Sequence, residues 1–195
     1  MAADLQTRGK TLVYECSGYE FIARTGPEEM AVWLEDQYLI LPQVRSGSGA
    51  KYQEGDVTFW SKGEEAMLTV GRQQFGDCVL VPHRAPWEDA RRRGVDFRAV
   101  GNEPGWYLEI QHDRHLLFVA DYGLNRVLIT SPTLTVEEPR TIYQASSDKD
   151  ELRIEIVDEL CTDTMKGDTF TSQVTVYLNG KAYTGCGNSL VRNWK

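Results

Sequence analysis

Short apolar runs alternate with polar residues and are cut every few positions by Gly, Asp or Asn, and no long segment keeps a helical period. That rhythm restricts the chain to an all-β fold built of short antiparallel strands. In Thr11-Leu-Val-Tyr-Glu-Cys16, the residues Leu12, Tyr14 and Cys16 share one face, and Ser17-Gly18 turns the chain. Phe21 and Ala23 oppose Glu20 and Arg24 on a second, half-buried strand. Met30 to Leu34 and Tyr38 to Val44 follow, joined by a tight turn at Glu35-Asp36-Gln37. A long polar loop, Arg45 to Asp56, precedes strands at Val57 to Ser61, Ala66 to Val70 and Cys78 to Val81. About seven strands in about seventy residues fit a small antiparallel barrel or a sandwich.

Pro82-His-Arg-Ala-Pro-Trp-Glu-Asp-Ala-Arg-Arg-Arg-Gly94 breaks the rhythm, and Trp87 to Arg93 between Pro86 and Gly94 fits about two helical turns. Residues 83–96 are therefore read as a linker, either a rigid helical spacer or a flexible tether, between a first domain, 11–82, and a second, 97–191. In the second, strands are expected at Phe97 to Val100, Trp106 to Gln111, His115 to Ala120, Arg126 to Ser131, Arg140 to Ala145, Glu151 to Val157 and Ser172 to Leu178. Leu152, Ile154 and Ile156 alternate with polar neighbours, as on a strand with one buried face. Asn179-Gly180 is a two-residue hairpin signal, with Val174, Val176 and Leu178 on its inward side. This half also reads as a barrel-like or sheet-rich domain.

Two small β domains have thin cores, and the four cysteines offer support. They lack a Cys-x-x-Cys pair, and His83, His112 and His115 lie away from them, so zinc is a poor reading and no cofactor is expected. Four cysteines allow three connectivities. The natural one is Cys16–Cys78 with Cys161–Cys186, a staple for each half, contributing roughly 4 and 3.5 kcal/mol in the chain-entropy model. Such staples point to an oxidising compartment. The net charge of −8 disfavours nucleic acid, which needs clustered Lys and Arg, and favours encounter with a basic partner. The acidity is denser in residues 1–80, which hold 7 basic and 12 acidic side chains; Arg91, Arg92 and Arg93 form the only basic cluster.

The segments that carry chemistry are Ser46-Gly-Ser-Gly-Ala-Lys-Tyr52 and Phe59-Trp-Ser-Lys-Gly63. The first is a glycine-rich loop exposing hydroxyls and a lysine, able to approach another surface closely. It is no phosphate cradle, because Ala50-Lys51-Tyr52-Gln53 lacks the Gly-Lys-Ser/Thr that opens a helix. The second places Lys62 at a turn after an aromatic strand end.

With Tyr14-x-Cys16-x-x-Gly18, Phe21-x-Ala23-Arg24, Met30, Leu34, Glu65-Ala66 and Cys78, these motifs make residues 12–80 resemble the membrane-bound and periplasmic inhibitors of c-type lysozyme (the MliC/PliC family). The resemblance implies an eight-stranded antiparallel barrel, no enzymatic activity, and c-type lysozyme as partner. It implies that Ser48 and Lys62, fourteen residues apart, enter the catalytic cleft, with Ser46, Gly49, Lys51 and Tyr52 at contact positions. It also implies an exported protein of the periplasm or outer membrane of a Gram-negative bacterium. Met1-Ala-Ala-Asp-Leu is unlike an export signal, so an exported form is expected to have lost its targeting segment, and with it any lipid-attachment cysteine.

The chemistry is consistent. A retaining glycosidase holds one protonated and one ionised carboxyl across its cleft. An ammonium suits the ionised group, and a hydroxyl can bond the protonated one. One geometric demand follows. Val57 to Ser61 spans roughly 17 Å if straight, so the Arg45 to Asp56 segment must fold back along the barrel to bring Ser48 to Lys62.

Residues 97–187 resemble a domain of uncharacterised bacterial lipoproteins, through Phe97 to Trp106 with Leu108-Glu-Ile110, Cys161-Thr-Asp-Thr-Met165 and Gly185-Cys-Gly187. Glu103 beside Pro104-Gly-Trp106 reads as a turn whose Trp fills a core, with a ligand pocket as the alternative. Asp163 and Asp168 read as a solvated loop beside a disulfide, with a cation site as the alternative. There is no nucleophile elbow and no Ser-x-x-Lys pattern. Trp33, Trp60, Trp87, Trp106 and Trp194 read as core or surface anchors. The competing function class is a cell-envelope binding or scaffold lipoprotein without lysozyme inhibition.

Overall fold

Where the apolar residues alternate, the chain forms strands whose inward side chains are buried. The computed structural model describes residues 9–34, 37–112, 114–146, 149–163 and 167–191. The expected turn at Glu35-Asp36, the Met1 to Leu5 segment, Thr164, Met165 and Trp194 lie outside the described residues. The chain divides into two units, Met1–Asp89 and Ala90–Lys195. The division falls inside α1 (Ala85–Arg92), the helix expected within the linker.

Eight strands build the first unit: β1 (Thr11–Cys16), β2 (Tyr19–Gly26), β3 (Glu29–Trp33), β4 (Tyr38–Val44), β5 (Ala50–Glu54), β6 (Val57–Lys62), β7 (Glu65–Val70) and β8 (Gln73–Leu80). Each pairs with the next, antiparallel, and β8 returns to β1 to close a barrel. The closing seam is short, with Tyr14 opposite Leu80 and Glu15 opposite Val79. One more step of that register sets Cys16 against Cys78, and these two are disulfide-bonded. The staple thus reinforces the strand pair most distant in sequence, where loop closure costs most entropy. Inside, Tyr14, Phe21, Val32, Leu41, Phe59 and Leu68 are buried together. Phe21 meets Phe59 edge-on at 5.7 Å and stacks on Tyr14 at 5.3 Å.

The expected Arg45 to Asp56 loop contains a strand, β5. Its polar Lys51, Gln53 and Glu54 hide the alternation. It forms because it pairs with β6 from Ala50 opposite Ser61 to Glu54 opposite Val57, and because Tyr52 stacks on Phe59 at 6.0 Å. After β8, Arg84 donates to Glu15 at 2.8 Å and to both carboxylate oxygens of Glu20 at 2.5 and 2.8 Å, fastening the Pro82–Arg84 turn onto the outside of β1 and β2.

The second unit holds β9 (Phe97–Asn102), β10 (Gly105–Gln111), β11 (His115–Ala120), β12 (Asn125–Thr130), β13 (Thr133–Glu137), β14 (Arg140–Ser146), β15 (Glu151–Val157), β16 (Cys161–Thr162), β17 (Thr169–Phe170), β18 (Ser172–Leu178) and β19 (Lys181–Ser189). All but the short β16–β17 pair join one nine-stranded antiparallel sheet, ordered β12-β11-β10-β9-β19-β18-β15-β14-β13. The sheet curls into a half-barrel and stays open, because β12 and β13, consecutive in sequence, form its two edges. β13 has no counterpart among the expected strands and is exposed on both faces. Asn179 and Gly180, with φ of 51° and 82°, make the expected hairpin between β18 and β19. Leu108, Phe118, Ile154 and Val176 are fully buried within the curl. Trp106 fills that core as expected. Cys161 and Cys186 are disulfide-bonded.

Candidate functional site

The hairpin of β5 and β6 decides where the glycine-rich loop sits. β5 runs back along β6, so the loop before it, Ser46 to Gly49, arrives at the end of β6 that carries Lys62. The last ladder pair is Ala50 with Ser61, and one further step sets Gly49 beside Lys62. Gly49 has φ of 67°, a left-handed conformation that side chains disfavour. A Cβ there would overlap the carbonyl oxygen of Ser61 and lie 3.2 Å from Cβ of Lys62. Only glycine lets the loop press this closely on the strand end.

Two hydrogen bonds hold the loop. The Ser46 hydroxyl donates to the carbonyl of Gly49 at 2.9 Å. The indole Nε1 of Trp60 donates to the carbonyl of Ser48 at 2.9 Å. Phe59 points into the barrel, so strand alternation turns Trp60 outward, within reach of the loop. The side chains of Ser48 and Lys62 are exposed, and neither makes a hydrogen bond or an ion pair among the described residues. Lys62 opens the hairpin turn at Gly63-Glu64 and stands directly opposite Glu65 on β7, with Gly63 at φ of 64°. Glu64 is tied back through its carbonyl, which accepts from the Leu80 amide at 2.8 Å.

The other expected contact residues divide by face. Lys51 lies opposite Trp60 on the outer side, whereas Tyr52 faces inward and its ring packs against Phe59. Ser46, Ser48, Gly49 and Lys62 therefore gather at one end of the β5–β6 hairpin, and Tyr52 contributes chiefly to the core beneath it. Trp60 and Glu65 fall within the sequence motifs, but neither has a role at the site by sequence alone. Trp60 reads as a generic anchor until its outward alternation beside Lys62 is followed through, and Glu65 gains its place only from the β6–β7 register. Among the described residues, no group of three or more His, Cys, Asp or Glu side chains is placed to hold a metal ion. Among the same residues, no helix is long and apolar enough to cross a membrane.

Residues 14–74 match the family described as membrane-bound lysozyme-inhibitor of c-type lysozyme. The membrane-bound lysozyme inhibitor of C-type lysozyme from Yersinia enterocolitica serotype O:8 / biotype 1B is 38% identical over 80 residues, covering 40% of this chain and 68% of that protein. Its namesake from Escherichia coli K12 is 37% identical over 60 residues, covering 30% of this chain and 55% of the relative. No solved structure matches the chain at a significant level.

Proposed function

The chain belongs to the family of membrane-bound inhibitors of c-type lysozyme, and from that premise we propose that its first unit inhibits a c-type lysozyme by occupying the catalytic cleft with Ser48 and Lys62. The observation that carries this reading is the β5–β6 register, which sets Gly49 beside Lys62 while Trp60 holds the carbonyl of Ser48. This supports the reading that the exposed Ser48 hydroxyl and the exposed Lys62 ammonium are carried on neighbouring segments of a braced hairpin end before any partner arrives. Little backbone ordering entropy is left for the moment of binding.

The target's chemistry fits the pair. Lys62 reaches the ionised carboxylate of the retaining glycosidase, and the Ser48 hydroxyl bonds the protonated acid. Charge-assisted bonds of this kind contribute roughly 1.5–3 kcal/mol each. Inhibition is steric and electrostatic occupation, with no covalent step. Glu64 and Glu65 flank Lys62 and repel a like-charged partner, so a basic enzyme surface around the cleft is the matching one. The chain's net charge of −8 accelerates encounter with such a partner, and that rate falls with salt.

The relatives are named membrane-bound, and this chain's two disulfides are chemistry for an oxidising compartment. The cell envelope, in the periplasm or at the outer membrane, is the location this reading assigns. The test is a turbidity assay of c-type lysozyme on bacterial cells with the wild-type chain, Lys62→Ala and Ser48→Ala. Lys62→Ala is expected to weaken inhibition about tenfold to a hundredfold. A folded wild-type chain that leaves lysis untouched, or a Ser48→Ala/Lys62→Ala double variant as potent as wild type, overturns the reading.

A further inference from the structure

The outer face of the second unit's sheet carries a trench running across the strands. Arg126, Val119, Tyr107, Val100, Cys186 and Gln173 stand side by side in register on β12, β11, β10, β9, β19 and β18. At about 4.8 Å between strands, that row spans on the order of 24 Å. Two cavities lie along it, of about 510 and 560 Å³, and they share Val100, Gly101 and Asn102. Each has the size of a small-ligand site.

The two ends differ in chemistry. One is lined by Asn102, Glu103, Asp163, Gln173, Thr175 and Thr184, a set of amides, hydroxyls and carboxylates, with Asn102 Nδ2 donating to Asp163 Oδ1 at 2.7 Å. The other is lined by Tyr107, Tyr122 and Arg126, and Arg126 makes no ion pair among the described residues. Tyr122 is 83% exposed, the rarer condition for a large aromatic ring. It is also held there deliberately. Asp121, Tyr122 and Gly123 all have positive φ, of 51°, 57° and 92°, and non-glycine residues persist in that region only where their surroundings over-determine it. The Asp121 carboxylate supplies the restraint, accepting from Lys181 Nζ at 2.9 Å, the Tyr183 hydroxyl at 3.0 Å and Asn125 Nδ2 at 2.5 Å. The Tyr122 ring lies close over Gly105, where a Cβ would come within 3.0 Å of it.

The chemistry of the trench selects its ligand. Its floor is made of strands β11, β10, β9 and β19, each paired on both sides, and it runs across them, so a peptide lying along it would cross the strands and could not add as one; the open edge of β12 lies only at the trench's Arg126 end. Recognition must run through side chains: a flat aromatic ring and a cation at one end, and amides, hydroxyls and the carboxylates of Glu103 and Asp163 toward the other. A sugar ring has an apolar C–H face for the ring and a rim of hydroxyls for the amides. We propose that this trench binds a linear oligosaccharide with an acidic sugar at one end, that sugar stacked on Tyr122 with its carboxylate at Arg126, and the following sugars bonded through their hydroxyls by Asn102, Gln173 and Thr184.

The test is NMR or calorimetric titration of the full chain with three probes: the N-acetylglucosamine tetramer, a tetrasaccharide alternating N-acetylglucosamine with glucuronate, and cellotetraose. The acidic probe is expected to bind most tightly. Tyr122→Ala should weaken it at least tenfold, and Arg126→Gln should lower its affinity to that of the N-acetylglucosamine tetramer. Both substitutions lie on exposed side chains, and an unchanged thermal midpoint of the second unit confirms that its fold is intact. The proposal falls if no probe binds saturably at millimolar concentration, if Tyr122→Ala binds like wild type, or if the neutral probes match the acidic one.

Discussion

The indole Nε1 of Trp60 donates a 2.9 Å hydrogen bond to the carbonyl oxygen of Ser48, so a side chain of β6 braces the backbone of the loop that precedes β5. Trp60 neighbours both presented groups, yet the brace needs only its N–H. Trp60→Phe keeps most of the apolar ring and deletes the donor. The expected outcome is lysozyme inhibition weakened about three- to tenfold, which corresponds to the net value of a single hydrogen bond, about 0.5–1.5 kcal/mol. The denaturation midpoint of the first unit should barely move. An inhibition constant equal to wild type would remove the brace from the account.

Gly49→Ala attacks the same loop from its backbone. The substitution forces a side chain into a left-handed conformation and into the Ser61 carbonyl, so the loop must move off the end of β6. Conformational strain of this kind costs about 1–3 kcal/mol. Inhibition should fall at least tenfold, because Ser48 is carried away from Lys62. Gly47→Ala is the control: a Cβ there meets nothing within 4 Å. It should inhibit like wild type. Two alanines two residues apart with equal effect would mean that the close approach at Gly49 has no bearing on binding.

Much of this arrangement was legible in the sequence, and the parts that were not share a cause. Leu12, Tyr14, Phe21 and Ala23 announce β1 and β2 because one face of each strand meets a dry core. β5 was hidden because Lys51, Gln53 and Glu54 are polar, and only Tyr52 turns an aromatic ring inward; its existence depends on β6, a partner that a local reading does not see. β13 shows the reverse: Thr133-Leu-Thr-Val-Glu137 alternates like a strand but buries neither face, so it rests on pairing with β14 alone. At the site, the Ser46 to Tyr52 and Phe59 to Gly63 segments stand out as motifs. The closeness of Gly49 to Lys62 is a matter of register, and register comes from the whole barrel. The Tyr122 platform depends on Asp121 meeting Lys181 and Tyr183 across about sixty residues of sequence, for which no local signal exists.

The closing seam gives a stability prediction. Cys16→Ser with Cys78→Ser opens a link across a sequence separation of 62, and the chain-entropy model assigns such a bridge about 4 kcal/mol. The first unit should lose about that much in urea unfolding. The Cys161→Ser/Cys186→Ser pair spans 25 residues and should cost its own unit about 3.5 kcal/mol. Because β1 and β8 otherwise meet in only two register pairs, hydrogen exchange should quicken first at Tyr14, Glu15, Val79 and Leu80 in the first double variant. Uniform quickening across the barrel would show that the seam is not its weak point.

Asp121 supplies a prediction in pH. The Lys181 ammonium, with Asn125 and Tyr183, holds its carboxyl below the ordinary carboxylate range, and Tyr183 and Asp121 together raise the Lys181 ammonium above its own. A depressed carboxyl contributes to the fold above its unfolded pKa and loses that contribution as pH falls through the folded value. A raised ammonium contributes below its unfolded pKa and loses that contribution as pH rises through the folded value. The Asp121–Tyr122–Gly123 turn should therefore stay ordered across the whole neutral range, loosening only in acid below the ordinary carboxylate pKa of about 3.9 and in base above the ordinary ammonium pKa of about 10.4. Proton NMR of the Tyr122 ring should show one environment between those limits and a second, averaged one beyond each. Asp121→Asn removes the charge that Lys181 and Tyr183 meet, so the averaged environment should appear at neutral pH. A Tyr122 spectrum in that variant identical to wild type at pH 7 would show that the carboxylate does not hold the turn.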